Sequence, residues 1–338
     1  MTGMKARIAA LVAICVLAIG AAVIYLVRSH STQTEAVQHA APVKTTSPAT
    51  IQAEPHIVYR NTALGTQYGM VAMSALSAPA GPRAITSTSC DRVYAASSKI
   101  LCLSSKIGIV TTYAAAVLND DMTKVQNLPL SGIPSRARLS ADGSYAASTS
   151  FISGDSYAGT SFSTRTILSK VGSTESSNLE SYTLIHNGQS IHPVDENFWG
   201  VTFAADGDTF YVTAEWAQHT WLSRGSISKH QIVTLHEDAE CPSLSPDGST
   251  IVYKQRGNLP SGHWRLVRYD IASGKVTPLA ETRSIDDQVA WLDDSTVMYG
   301  VPRSGSQAAV DDVWKVPADG TGSPVLLIPQ AWSPAVVR

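Results

Sequence analysis

Leu244-Ser-Pro-Asp-Gly-Ser-Thr-Ile-Val-Tyr-Lys-Gln-Arg256 is the stretch from which the fold can be read. Pro246 presets its own φ, and Asp247 and Gly248 tolerate the left-handed backbone that a tight turn needs. Thr250 to Tyr253 then form a β-branched and aromatic run that reads as a strand. The unit is therefore a tight turn leading into a strand. It recurs as Leu139-Ser-Ala-Asp-Gly-Ser-Tyr-Ala-Ala147 and as Phe203-Ala-Ala-Asp-Gly-Asp-Thr-Phe-Tyr-Val212. Weaker copies are Ala290-Trp-Leu-Asp-Asp-Ser-Thr-Val-Met-Tyr299 and Ser89-Cys-Asp-Arg-Val-Tyr-Ala95.

The repeat sets the architecture. Its aspartates, Asp91, Asp142, Asp206, Asp247 and Asp294, fall roughly 40–65 residues apart, the spacing of propeller blades with loop insertions. Gly143, Gly207 and Gly248 follow three of them directly. From His56 onward, short apolar runs alternate with Gly, Asp, Asn, Ser and Pro clusters, and no long amphipathic helix interrupts them. The expected fold is all-β: a six-bladed propeller of four-stranded antiparallel blades, preceded by one N-terminal transmembrane helix. One blade takes Ser135–Ser140, Tyr145–Phe151, Ser163–Ser169 and Ser181–Ile185. The next takes Gly200–Ala204, Thr209–Ala214, Thr220–Ser226 and Gln231–Leu235. The first blade, beginning at Ile57, lacks an innermost strand. Trp332-Ser-Pro begins a last repeat near the C-terminus, so Val336 and Val337 are expected to pair with the strand of Val58 and Tyr59 and close the ring.

These units resemble the TolB-like, or PD-repeat, propellers, with the closest match in Leu244–Arg256. The resemblance covers about His56 to Arg338, and a membrane-anchored chain of this kind is similar to TolB-like proteins of actinobacteria. It implies an extracytoplasmic ring that binds other proteins; related blades also gate the substrates of peptidases. The chain departs from TolB in that only a tether precedes its propeller.

The N-terminus reads separately. Met1 to Arg7 carry Lys5 and Arg7, and Ile8 to Val27 carry no charge. At about 1.5 Å per residue that run spans roughly 30 Å, a bilayer core. The positive flank places residues 1–7 in the cytoplasm, 8–27 in the membrane, and 28–55 outside as a flexible linker before the propeller at 56–338. The resulting localisation is the cell membrane, single-pass, with the C-terminal domain extracytoplasmic. A cleaved signal peptide is the competing reading, but Gln38 stands where its cleavage site wants a small residue.

Composition narrows the function. Of the 338 residues, 15% are charged, and the net charge is −2, so no basic field is present to hold nucleic acid. No Gly-x-Ser-x-Gly elbow, metal-spaced Cys/His cluster or cofactor motif stands out. Gly154-Asp155-Ser156 lacks the strand–turn–helix context of a nucleophile. Cys90 and Cys102 flank a hairpin; they either bridge outside the cytoplasm or remain two buried thiols.

Two loops carry binding candidates. Ile191-His-Pro-Val-Asp-Glu-Asn-Phe-Trp199 offers His192, Asp195 and Trp199, and Glu215-Trp-Ala-Gln-His-Thr-Trp221 offers Glu215, Trp216, His219 and Trp221. Aromatic rings supply contact area and the polar groups supply anchoring. Packing of the tryptophans between blades is the alternative. The expected function is a non-enzymatic, membrane-tethered scaffold that binds a protein partner in the cell envelope. The alternatives are an envelope hydrolase or lyase, or a small-ligand sensor, using the propeller channel. No metal or cofactor is expected.

Overall fold

A computed structural model describes residues 7, 11, 13–24, 43–152 and 163–338. Residues 56–338 form six sheets arranged as blades. Blade 1 is Ala331–Val337, His56–Asn61, Met70–Ala75 and Arg83–Ser89, in that order outward. Blade 2 is Arg92–Ala96, Lys99–Lys106, Thr112–Asn119 and Lys124–Leu128. Blade 3 runs from Ile133–Leu139 through Tyr145–Ile152 and Ser163–Lys170 to Ser176–Asn178. Blade 4 begins at Asn197–Phe203, blade 5 at Glu240–Leu244 and blade 6 at Ala290–Trp291.

Neighbouring blades cover each other's faces, which is why middle strands such as Lys99–Lys106 and Thr250–Gln255 carry apolar residues on both faces. In Lys99–Lys106, Ile100 and Cys102 face blade 1 while Leu101 and Leu103 face blade 3. In the stretch that reveals the fold, Ile251 and Tyr253 face blade 4, Val252 faces blade 6, and all three are fully buried. Six apolar clusters result, one at each blade-to-blade junction.

The ring closes through the C-terminus. Val336 lies opposite Ile57, Val337 opposite His56 and Ala335 opposite Val58. Trp332 packs flat against the backbone of blade 6, where a Cβ on Gly300 would sit 2.1 Å from its ring. No side chain other than hydrogen fits there.

The turns hold as their residue types require. The Asp247 carboxylate accepts from the Ser245 hydroxyl at 2.5 Å and the Ser249 amide at 3.0 Å. Asp142 accepts likewise from Ser140 and Ser144, and Asp206 from the amides of Asp208 and Thr209. Gly143, Gly207 and Gly248 have φ of 71°, 76° and 72°, backbone that L side chains resist. In blade 6 the turn aspartate is Asp293, which caps Ser295, and not Asp294. Asp91 is no turn residue either: it precedes the inner strand of blade 2 at the far end of the ring and pairs with Arg60 at 3.7 Å.

Two other expectations are corrected. The segment assigned as the outer strand of the third blade, Ser181–Ile185, belongs to the fourth. Thr183–His186 runs parallel to Gln231–Glu237, and with Gln189–Ile191 it widens blade 4 to six strands. Tyr182 and Leu184 decide this, because both are buried in the blade 3–blade 4 junction. Of residues 28–55, assigned as a flexible linker, the described part from 43 onward is seated on the ring. Thr45 bridges Arg83, Ser47 caps a short helix Pro48–Gln52, and Ile51 is buried against blades 1 and 2.

Cys90 and Cys102 form a disulfide, their Cα atoms 5.4 Å apart, while Cys241 is free and buried. Residues 13–24 are helical. Among the described residues no helix is long and apolar enough to cross a membrane; the expected span Ile8–Val27 falls partly outside them. Gly154-Asp155-Ser156 also lies outside the described residues.

Candidate functional site

The inner strands all run the same way, so the ring has two unlike faces. The Asp-Gly turns cluster at one, the turn face. The inner strands begin at the other, the entry face, together with the hairpin between the second and third strands of each blade.

Repeated bulges shape the channel between them. Register shifts by one residue in the inner strands of blades 1, 3, 4 and 5. Gly200, Cys241 and Ser333, in the bulges of blades 4, 5 and 1, have φ of 71°, 52° and 56°. A bulge re-aims side chains at a strand end. Here the neighbouring positions bring charged groups from distant parts of the chain together at the entry face.

Arg92 pairs with Asp287 at 3.0 Å, and its guanidinium lies 4.8 Å above the Trp332 ring. Asp287 also accepts from the Gly300 amide at 3.0 Å. Asp286 takes both Lys254 at 2.7 Å and Arg136 at 3.4 Å. Burial works against the charge of Asp286, but Lys254 and Arg136 outweigh it and hold the carboxyl below its ordinary range. Lys254 stacks on Trp264, whose indole donates to Glu240 at 2.6 Å. Burial, then the neighbouring Asp287, pushes the Asp311 carboxyl up to about 6.

The channel is blocked halfway. Gln288 of blade 6 donates across it to Val201 of blade 4 and Pro242 of blade 5, at 3.0 and 2.8 Å. Arg138 of blade 3 reaches the Val289 carbonyl of blade 6 at 3.1 Å. Beside this bar lies a small cavity of about 20 Å³ lined by Arg92, Arg136 and Asp287. Below it, a blind cup of about 410 Å³ opens on the turn face.

The seven residues expected from the two loops sit at the entry end of blade 4, and none of them lines the cup. Asp195 accepts from the Ala217 amide at 2.9 Å, and Asn197 donates to Glu215 at 3.1 Å, so these two carboxylates cap and brace the Trp216–His219 hairpin. Burial, followed by the charge of Asp195, raises the Glu215 pKa despite its bond to Asn197. Trp216 and Trp221 stack at 5.4 Å, with His186 set edge-on against both. His219 turns outward onto Glu237 at 2.6 Å, and exposed His192 contacts Ser190 at 3.4 Å. Trp199, half-buried, lies in the inner strand opposite Thr213. The two histidines therefore share no focus with the carboxylates. Among the described residues no group of three His, Cys, Asp or Glu side chains is placed to hold a metal.

Sequence reasoning missed Arg92, Arg136, Arg138, Lys254, Asp286, Asp287 and Gln288. For Arg92, Arg136 and Arg138 the available signal was charge inside inner-strand segments, where a buried blade edge should be apolar.

No family model matches the sequence, and no curated protein matches it. The fold is similar to that of TolB from Acinetobacter baumannii, with a TM-score of 0.58 and 17% identity over 83% of this chain and 66% of that one. This chain thus spans just under two thirds of that protein's length. A chain in a nidogen/laminin complex aligns with a TM-score of 0.56 and 12% identity, over 84% of this chain and 98% of the other. A puromycin-hydrolysing peptidase from Mycobacterium tuberculosis aligns more loosely, at a TM-score of 0.46 and 11% identity, over 86% of this chain and 56% of that one. At such identities the likeness establishes architecture, and the chain is a six-bladed β-propeller of the kind that TolB also adopts.

Proposed function

We propose that the chain is a non-enzymatic scaffold that binds a protein partner in the cell envelope, held at the membrane by Ile8–Val27. One observation carries the binding part. The entry-face hairpin of blade 2 exposes Ile107, Ile109 and Val110 at 87, 108 and 75%. Tyr68 of blade 1, Ile133 of blade 3 and Val194 of blade 4 are exposed at the same end of the ring. Solvated monomers rarely leave such large apolar groups together, and with charged groups beside them they suit a protein interface. That a similar fold was solved in a protein complex agrees with this reading.

The tether rests on the uncharged run and its positive flank, and on the described helix, where Leu17 and Ile19 are exposed and apolar. An enzymatic reading gains nothing from His192, Asp195, Glu215 and His219, which do not converge.

The test is site-specific photocrosslinking in native membranes from Ile109, with Asp319 on the turn face as the control position. A discrete protein adduct from Ile109 alone, lost in an Ile107→Ser, Val110→Ser variant, is expected. Adducts to lipid only, or equal adducts from both faces, would refute the interface. A periplasm-active reporter fused after Pro55 tests the orientation, and an inactive fusion would refute it.

A further inference from the structure

We infer that the blind cup on the turn face binds a small organic acid through a single carboxylate. The inference goes beyond the scaffold reading and is independent of it, because the cup opens on the face opposite the exposed apolar hairpin.

The cup is a built site. Its volume of about 410 Å³ falls in the usual range for ligand pockets, about 300–1,000 Å³. Tyr94, Leu139, Phe203, Leu244 and Trp291 supply its apolar wall. The wall is held rigid, since the Trp291 indole donates to the Ser243 carbonyl at 3.0 Å. The rim is exposed at Ser97, Ala141 and Gly248, so the way in is open.

Arg138 forms the floor. It is only 5% exposed, and among the described residues it makes a hydrogen bond to a carbonyl and no ion pair with a carboxylate. Its guanidinium lies 4.4 Å from the centre of the Tyr94 ring, and Nη2 donates to a backbone carbonyl, while Nε is buried without an acceptor. Every other buried cation of the channel has an acid beside it: Arg92 has Asp287, and Arg136 and Lys254 share Asp286. A guanidinium always carries its charge, and its planar fork matches a carboxylate. Leaving that charge buried and unpaired is costly, so a monoanion entering the cup would recover a cost the fold already bears. The remaining wall selects the rest of the ligand. Thr202, Ser243, Ser245 and Arg338 line it beside the aromatic and aliphatic side chains, so it takes polar as well as apolar substituents. Asp247 and Arg338, of opposite charge, both line the cup, so with Arg138 its lining side chains carry one net positive charge.

The test uses the full chain in detergent and three acids, benzoate, 4-phenylbutyrate and hexanoate, each against its neutral amide. Thermal shift and quenching of tryptophan fluorescence report binding. At least one acid should bind and raise the melting temperature, while its amide binds at least about tenfold more weakly. Arg138→Met should erase the difference between acid and amide. Because a floor residue also affects folding, Ala141→Trp provides a second variant: it narrows the mouth and leaves Arg138 in place. It should melt like the parent without ligand and lose the response to the acid. The proposal is overturned if no acid outbinds its amide, or if both variants respond to the acid as the parent does.

Discussion

The two halves of the channel use the same residue type for opposite ends. Above the bar, Arg92 is matched by Asp287, which is itself 2% exposed and braced by the Gly300 amide. Below it, Arg138, two positions from Arg136 in the same strand, has an aromatic ring and a carbonyl but no acid. Two residues of strand rise, roughly 6–7 Å, put these neighbours at different levels of the ring. A cation that is paired inside the protein is part of its frame. One left unpaired is available to something else.

The harshest way to break the comparison is to remove both halves together. Deleting residues 330–338 takes Trp332 from under Arg92 and Val336 from the cup, and it reopens blade 1. The buried Ala331 and Ala335 go with the pairing to His56–Asn61. The expected loss exceeds about 5 kcal/mol, comparable to the whole stability of a domain. Calorimetry should show no cooperative transition for the truncated chain; a normal melt would contradict the closure.

Asp287→Ala addresses the upper half alone. It strands the Arg92 charge and should cost about 3–5 kcal/mol in urea unfolding. Arg138→Met, with no ion pair to break, should change stability by only about 1 kcal/mol in either direction. Equal costs for the two variants would abolish the distinction drawn between the halves.

Glu196 sharpens the same idea with the opposite sign of charge. Burial, and then Glu180, pushes its carboxyl up to about 7, and its Oε2 has no hydrogen-bond partner. A carboxyl raised from 4.5 is penalised when it ionises in the folded state, so the protein loses stability as pH rises from about 4.5 to 7. Glu196→Gln should remove that slope. At pH 8 the variant should gain roughly 1 kcal/mol after discounting for solvent screening, or about 2–4 °C in melting temperature. A variant no more stable at pH 8 than at pH 5, relative to the parent, would count against it.

The smallest effect belongs to the turns. Hydrogen bonds from the Ser245 hydroxyl and the Ser249 amide hold the Asp247 carboxyl below its ordinary range. That stabilisation is present above about pH 4 and fades as pH falls through the lowered folded value. Asp247→Asn should cost about 0.5 kcal/mol or less at pH 7 and nothing at pH 2, read from paired melts. A larger cost would mean that Asp247 does more than cap its own turn.

Legibility followed the range of the interaction. The turns could be read because Asp142, Asp206 and Asp247 act on residues two or three places away. Blade 6 was misread by one residue because Asp293 and Asp294 are chemically alike and only geometry selects the first. Ser181–Ile185 was put in the wrong blade because its apolar residues suit either of two adjoining sheets. The loop candidates were collected by composition, and a tryptophan has the same composition whether it lines a site or, like Trp216 and Trp221, stacks on its neighbour.

The sequence by itself determined the repeat, the blade number and the closing strand. Those follow from local turn chemistry and from apolar runs that need cover on both faces. Only the tertiary structure decided which charges meet in the channel. Arg92 and Asp287 are 195 residues apart, and Arg138 and Val289 are 151. Nothing local links such residues; the ring brings their strands to a common axis, and at that axis the pairing is decided.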